Sequence, residues 1–154
     1  MRVYSGHLSH LAPFTRLPQI KAIKDILDVA PSEGGAWCGG RPDPSAGWLE
    51  EAEPPMPDSY ILMGDMNFTP DSEEYAAMIG DIARKYGRLT NRKGPLDAWV
   101  LAGHKEQDGS THLGGPSRIH HCFVSGDLAS RIKTAEINTA AMGSDHYHVF
   151  VDFA

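Results

Sequence analysis

The chain has 154 residues, the usual size of one globular domain, and its 41% hydrophobic and 22% charged content excludes a disordered or fibrous polymer. A net charge of -6 removes the broad attraction to phosphate backbones on which nonspecific nucleic-acid binding depends, so nucleic acid is disfavoured and any phosphate ligand needs local cations. No apolar run of about 18 residues could span a bilayer, and the N-terminus lacks the charged start and apolar core of a secretory signal, which places the chain in the cytoplasm.

Arg2 to Leu8 reads as a strand, with Val3 and Tyr4 favouring extended backbone. Leu17 to Val29 puts Ile20, Ile23, Ile26 and Leu27 at helical spacing, and Pro18 suits a first helical turn, so an amphipathic helix is predicted. Pro31 to Asp58 is rich in proline and glycine and predicts a long irregular loop, in which Trp37, Trp48 and Leu49 would cover an edge or face a substrate. Tyr60 to Met66 is a short apolar run of the buried-strand kind. Ser72 can cap a helix running to about Tyr86, with Glu73 and Glu74 in the positively poled first turn and Gly87 just past its end. Leu96 to Leu101, Arg118 to Ser125, Ile132 to Asn138 and His146 to Phe153 are four more predicted strands. Together these give an α/β arrangement: a mostly antiparallel sheet with helices on one face and a second face that must find another layer. Cys38 and Cys122 show no disulfide or thiolate-metal spacing and are read as free thiols.

Two strand ends carry the polar chemistry. Asp65 and Asn67 follow the apolar run at i and i+2, on one side if the extended geometry persists, and their oxygens suit a hard divalent cation while the amide NH2 can hold a phosphate or a water. Taken alone this is an ordinary Asp-Asn turn. Gly143 to His146 then sets Asp145 beside His146 where another strand begins, pairing an acid with a group that takes up a proton near neutral pH. Seven of the eight histidines, His7, His104, His112, His120, His121, His146 and His148, lie near such segments.

The blocks GDMN at Gly64 to Asn67 followed by Pro70, DAW at Asp97 to Trp99, RIHHCFVS at Arg118 to Ser125 and GSDH at Gly143 to His146 resemble, in order and spacing, the later motifs of the endonuclease/exonuclease/phosphatase superfamily, relatives of DNase I. The opening YSGHLSHL, with Arg16 and Gln19, is similar to that superfamily's central HL segment, so the resemblance covers nearly the whole chain as one domain, residues 1–154, like the C-terminal half. It implies half of a two-sheet α/β sandwich that hydrolyses phosphoesters with Mg2+ or Mn2+. In this resemblance His7 contacts the scissile phosphate, Asp65 and Asn67 handle water, phosphate and metal, Asp145 is a metal-site acid, and His146 is the catalytic histidine. Trp99 reads as core.

Two departures shape the expectations. His120 stands where the superfamily has an Asp that orients the catalytic histidine, and an imidazole cannot offer His146 a fixed negative charge. With His121 it forms a further candidate site, and His120 and His146 with Asp65 or Asp145 would make a nitrogen-and-oxygen site suited to Zn2+. The second departure is that the superfamily's first half, which supplies an Asn and a Glu to the metal site, has no counterpart before Met1. A homo-oligomer or a separate first-half chain is therefore expected to complete the site. The function expected is a phosphoester hydrolase, phosphodiesterase or phosphatase. The alternative is a noncatalytic or weakly active binding module.

Overall fold

The computed structural model describes residues 1–35, 55–140 and 142–154. Trp37, Cys38, Trp48 and Leu49 lie outside the described residues.

The first strand, β1 (Arg2–His7), leads through a short loop into helix α1 (Pro13–Val29), which continues as a 3-10 turn over Ala30–Glu33. α1 begins four residues before the predicted Leu17 because Pro13 already supplies the fixed φ of a first helical position; Pro18 lies inside the helix. Ile20 and Leu27 are buried as predicted, with Ile23 beside them, whereas Ile26 faces water. Strand β2 (Tyr60–Asp65) pairs in parallel with β1, from Arg2 opposite Tyr60 to His7 opposite Asp65. Parallel pairing demands a crossover connection, and α1 lies on it. At Gly64, where φ is +144°, a Cβ would fall 1.9 Å from the Gly6 carbonyl oxygen, so only glycine lets the two strands meet just before Asp65.

Helix α2 (Glu73–Ile79) starts at the expected cap, where the Ser72 hydroxyl accepts from the Tyr75 amide at 3.2 Å. It does not run to Tyr86. Gly80, at φ +122°, ends it, and a short hairpin of β3 (Ile82–Ala83) and β4 (Gly87–Arg88) follows. The predicted strand at Leu96 to Leu101 is also corrected. Only β5 (Leu96–Asp97) is extended, and Asp97 then caps the single-turn helix α3 (Ala98–Leu101) by accepting from the Trp99 amide at 2.9 Å. Strand β6 (His120–Val124), a 3-10 segment over Gly126–Arg131, and the hairpin of β7 (Ile132–Asn138) and β8 (His148–Phe153) complete the chain.

The main sheet has the order β1-β2-β6-β5, parallel only between β1 and β2. Strand alternation sorts its residues into two faces. One face carries Tyr60, Leu62 and Phe123 against α1 and α2, where Met66, Tyr75 and Phe123 are shut away from water. Burying side chains such as Met66 and Phe123 stabilises by about 1.5–3 kcal/mol each. The second face carries Ile61, Val124 and Leu96, and the β7–β8 hairpin packs over them through Ile132, Val151 and Phe153. Its cover stops short of β1, so Val3 (58% exposed) and Met63 (41% exposed) remain open on that face.

Candidate functional site

Strand register builds the site. His7 opposes Asp65 across β1 and β2, and Asp65 opposes His120 across β2 and β6, so alternation sends all three side chains out of the second sheet face at one end. The backbone is tied there as well: the Leu8 amide donates to the Asp65 carbonyl at 3.0 Å and the Met66 amide to the Ile119 carbonyl at 2.9 Å. His146 arrives from the chain entering β8. Tyr147 N donates to Thr111 O at 2.8 Å and Leu113 N to Asp145 O at 2.9 Å, which lays residues 145–147 against residues 111–113.

Thr111 joins the two halves of this arrangement. It is fully buried, and its Oγ1 accepts from the amides of Ile119 (2.9 Å) and His120 (3.2 Å) while its carbonyl holds Tyr147. One side chain thus fixes where β6 begins relative to the segment that carries His146. Nothing in the sequence pattern singles out this threonine, because its role depends on two segments that meet only in the folded chain.

Asp65 is the centre of the cluster. Its Oδ2 stands 3.8 Å from His7 Nε2, 3.8 Å from His120 Nε2 and 3.7 Å from His146 Nδ1, while Oδ1 accepts from the Asn67 amide at 2.9 Å. His146 Nδ1 and His120 Nε2 lie 2.9 Å apart, their rings edge to face. The His112 ring stands 6.2 Å from that of His146. Desolvation pulls His120 below the usual imidazole pKa, against the upward pull of Asp65, which favours the neutral ring. Among the described residues Asp65, His120 and His146 are a group able to hold a metal ion. Asp145 is exposed and its carboxylate lies outside that group.

The remaining sequence candidates fall close by, in different roles. Asn67 sits at φ 52° and donates through Nδ2 to the Leu8 carbonyl at 2.9 Å, pinning the chain just after His7. Arg16 and Gln19 steady the same loop: Arg16 is ion-paired with Glu74 and donates to the Ser9 carbonyl, and Gln19 Oε1 accepts from the Ser9 amide. His121, paired with His120 in the sequence reading, points to the opposite sheet face and into the core. A carbonyl oxygen can only accept, so its Nε2 donates to Phe68 O at 3.0 Å, and Nδ1 accepts from Arg118 at 2.8 Å. Burial and the Arg118 cation push its pKa down to about 4, against the opposing pull of Asp97. His104 stacks on Trp99 and bonds the Ala135 carbonyl.

Behind the site, Arg118 pairs with Asp97 at 2.8 Å, and Asp97 Oδ2 also accepts from the Tyr75 hydroxyl at 2.7 Å. The DAW and RIHH blocks therefore meet in a buried ion pair that anchors the approach to β6. Trp99 is buried, as expected for core.

A mixed sheet with helices on one face and a polar cluster at its end is the arrangement this chain shares with about half of each solved endonuclease/exonuclease/phosphatase structure. No family model matches the chain, and no curated protein does. Among solved structures, a mannosyl-6-phosphatase from Bacteroides thetaiotaomicron superposes with a TM-score of 0.62 at 16% identity, over 99% of this chain and 50% of that one. An endonuclease/exonuclease/phosphatase from Bacteroides vulgatus gives 0.59 at 18% identity, over 96% and 47%. A family protein from Bacteroides thetaiotaomicron gives 0.54 at 14% identity, over 98% and 45%. The chain spans about half the length of these solved structures. None of its described helices is long and apolar enough to cross a membrane.

Proposed function

We propose that the chain is a divalent-metal-dependent phosphoester hydrolase, acting on phosphomonoesters or phosphodiesters, whose site is completed by another chain. The observation that carries the reading is the convergence of His7, Asp65, His120 and His146 at one end of a sheet in a hydrolase fold.

A divalent ion at the site would neutralise charge on the phosphoryl oxygens. His146, more exposed than His120, is the group to take a proton from an incoming water, and Asp65 beside it stabilises the imidazolium that results. Asp65 thereby supplies the negative charge that the substitution at His120 removes. His7, on the open side of Asp65, donates to a phosphoryl oxygen as charge grows there, and Asn67 keeps one amide N–H for the same purpose. Oxygen atoms of Asp65, Asn67 and Asp145 make a set for Mg2+ or Mn2+, whereas His120 and His146 favour Zn2+. A homodimer, or a separate chain equivalent to the other half, is supported by the open Val3 and Met63 surface beside the site and by the half-length match to the solved neighbours. The cytoplasmic placement belongs to the same proposal.

The test is hydrolysis of p-nitrophenyl phosphate and bis-p-nitrophenyl phosphate with Mg2+, Mn2+ or Zn2+, alongside oligomer mass by light scattering. Turnover that His146→Ala abolishes supports the reading; no turnover of either ester by the metal-loaded oligomer refutes it. A noncatalytic binding module is then the reading that remains, and the imidazole at His120 in place of a carboxylate favours it.

A further inference from the structure

We infer that Asp65, His120 and His146 form a zinc-type metal site carried wholly by this chain, with three protein ligands and one open coordination position on the side of His7. The inference rests on the hydrolase reading only for the use of the ion in catalysis, where an ion held by His146 Nδ1 would take over from that ring the activation of water; binding itself stands on geometry.

The three facing atoms, His120 Nε2, His146 Nδ1 and Asp65 Oδ2, form a triangle with edges of 2.9, 3.7 and 3.8 Å. The circumcentre of such a triangle is about 2.0 Å from every corner, and an ion raised about 0.7 Å above that plane, as a tetrahedral centre requires, is about 2.15 Å from each, within or beside the usual range for zinc bonds to nitrogen and oxygen. Opening the His120–His146 contact by about half an ångström would bring it to about 3.4 Å, the edge of a tetrahedron with bonds of about 2.1 Å. The hydrogen bond now joining the two imidazoles needs one nitrogen to carry a proton; with an ion between them both lone pairs face inward.

The donor set selects the ion. Two imidazoles and one carboxylate suit zinc, cobalt, nickel or copper, while Mg2+ demands near-octahedral oxygen and keeps several waters. Three protein ligands with a fourth place open is the pattern of a catalytic rather than a structural zinc site. The open side is where His7 stands: its Nε2 is 3.8 Å from Asp65 Oδ2 and its side chain is 75% exposed, so a water or a phosphoryl oxygen can reach that position. The ligands are also prepositioned. Asp65 and His120 are register partners on adjacent strands, and Thr111 fixes the start of β6 against the segment bearing His146.

The experiment titrates metal-free protein with Co2+ and then displaces it with Zn2+ against a chromophoric chelator. Wild type should give the intense visible absorption of four-coordinate cobalt, and zinc affinity should fall on the order of a hundredfold or more in Asp65→Ala, His120→Ala and His146→Ala. His148→Ala, on an exposed residue two positions beyond the site, should bind as wild type. X-ray absorption at the zinc edge of wild-type protein, which needs no variant to fold, should show two imidazoles and oxygen neighbours. A six-coordinate cobalt spectrum, zinc without imidazole neighbours, or equal affinity in all variants would overturn the site. Zinc bound as described with no hydrolysis of either nitrophenyl ester would leave the site standing and refute the hydrolase reading. No zinc binding by wild type, together with hydrolysis supported by Mg2+ and kept by His120→Ala, would remove the zinc site and leave the hydrolase.

Discussion

Replacing Arg118 by leucine should unfold much of the support behind the site. Arg118 and Asp97 are both about 1% exposed at the side chain, and Arg118 Nη2 is the cation 2.8 Å from the Asp97 carboxylate. Arg118→Leu leaves Asp97 with two neutral donors, the Tyr75 hydroxyl and the Trp99 amide, and no positive charge. It also takes away the donor that faces His121 Nδ1. Breaking a buried pair by removing one partner costs about 3–5 kcal/mol, because a charge stays behind without water or counter-ion. Against a total stability of about 5–15 kcal/mol this is a large fraction. With a urea dependence of about 2 kcal/mol per molar, the midpoint should fall by about 2 M. The assay is urea unfolding followed by circular dichroism for wild type, Arg118→Leu, Asp97→Asn and the double variant. Removing the Asp97 charge as well should restore part of the loss, so the double variant should be less damaged than the two singles added together. A midpoint within roughly 0.5 M of wild type, or strict additivity, would refute the claim that this pair is a coupled buried unit.

Thr111→Val keeps the shape but strips two half-buried amides of their acceptor, and should lower stability by about 1–3 kcal/mol in the same urea assay; an unchanged midpoint would mean those amides find other partners. Gly64→Ala should destabilise strongly, since the new Cβ meets the Gly6 carbonyl at 1.9 Å; amide exchange should show lost protection along β1, and wild-type protection there would refute the clash. For pH, the folded pKa of His121, about 4, lies below the ordinary imidazole value of about 6.5, so the unfolded chain takes up the proton first as pH falls. Its contribution is therefore present above about pH 6.5 and lost towards pH 4, by up to roughly 3 kcal/mol, and His121→Gln should flatten the urea-midpoint curve across that window. Parallel curves for the two proteins would count against it. Burial pushes the Cys122 thiol up to about 12, so peptide mapping after alkylation at neutral pH should find it unmodified until the protein is unfolded.

Much of the site was legible in the chain before folding. The apolar run of Tyr60 to Met66 placed an acid at the end of a buried strand, and Gly143 to His146 announced a second polar strand end. β7 falls on the predicted Ile132 to Asn138, and β1 and β2 each stop one residue short of the prediction. Residues 82–86 did not resolve themselves, because Ile-Ala-Arg-Lys-Tyr is acceptable as helix, and Gly80 and Gly87 are both plausible stops. A Cβ at Gly80 would fall 2.1 Å from the Leu89 carbonyl, and Arg88 ties back to Glu106; these partners are remote from the local pattern that predicted helix. Asp97 likewise looked like strand interior and serves as a cap and as the counter-ion of Arg118.

The sequence by itself determined which polar residues stand at the strand ends and the period with which each strand alternates, because those are properties of neighbouring residues. Tertiary structure alone decided that His120 faces Asp65 and His146 while His121 turns into the core, that Thr111 binds the two halves of the site together, and that the β7–β8 hairpin covers part of the second sheet face. A strand's alternation fixes that adjacent histidines part company, but which of them reaches the site depends on the register against β2, and register is set between strands rather than within one.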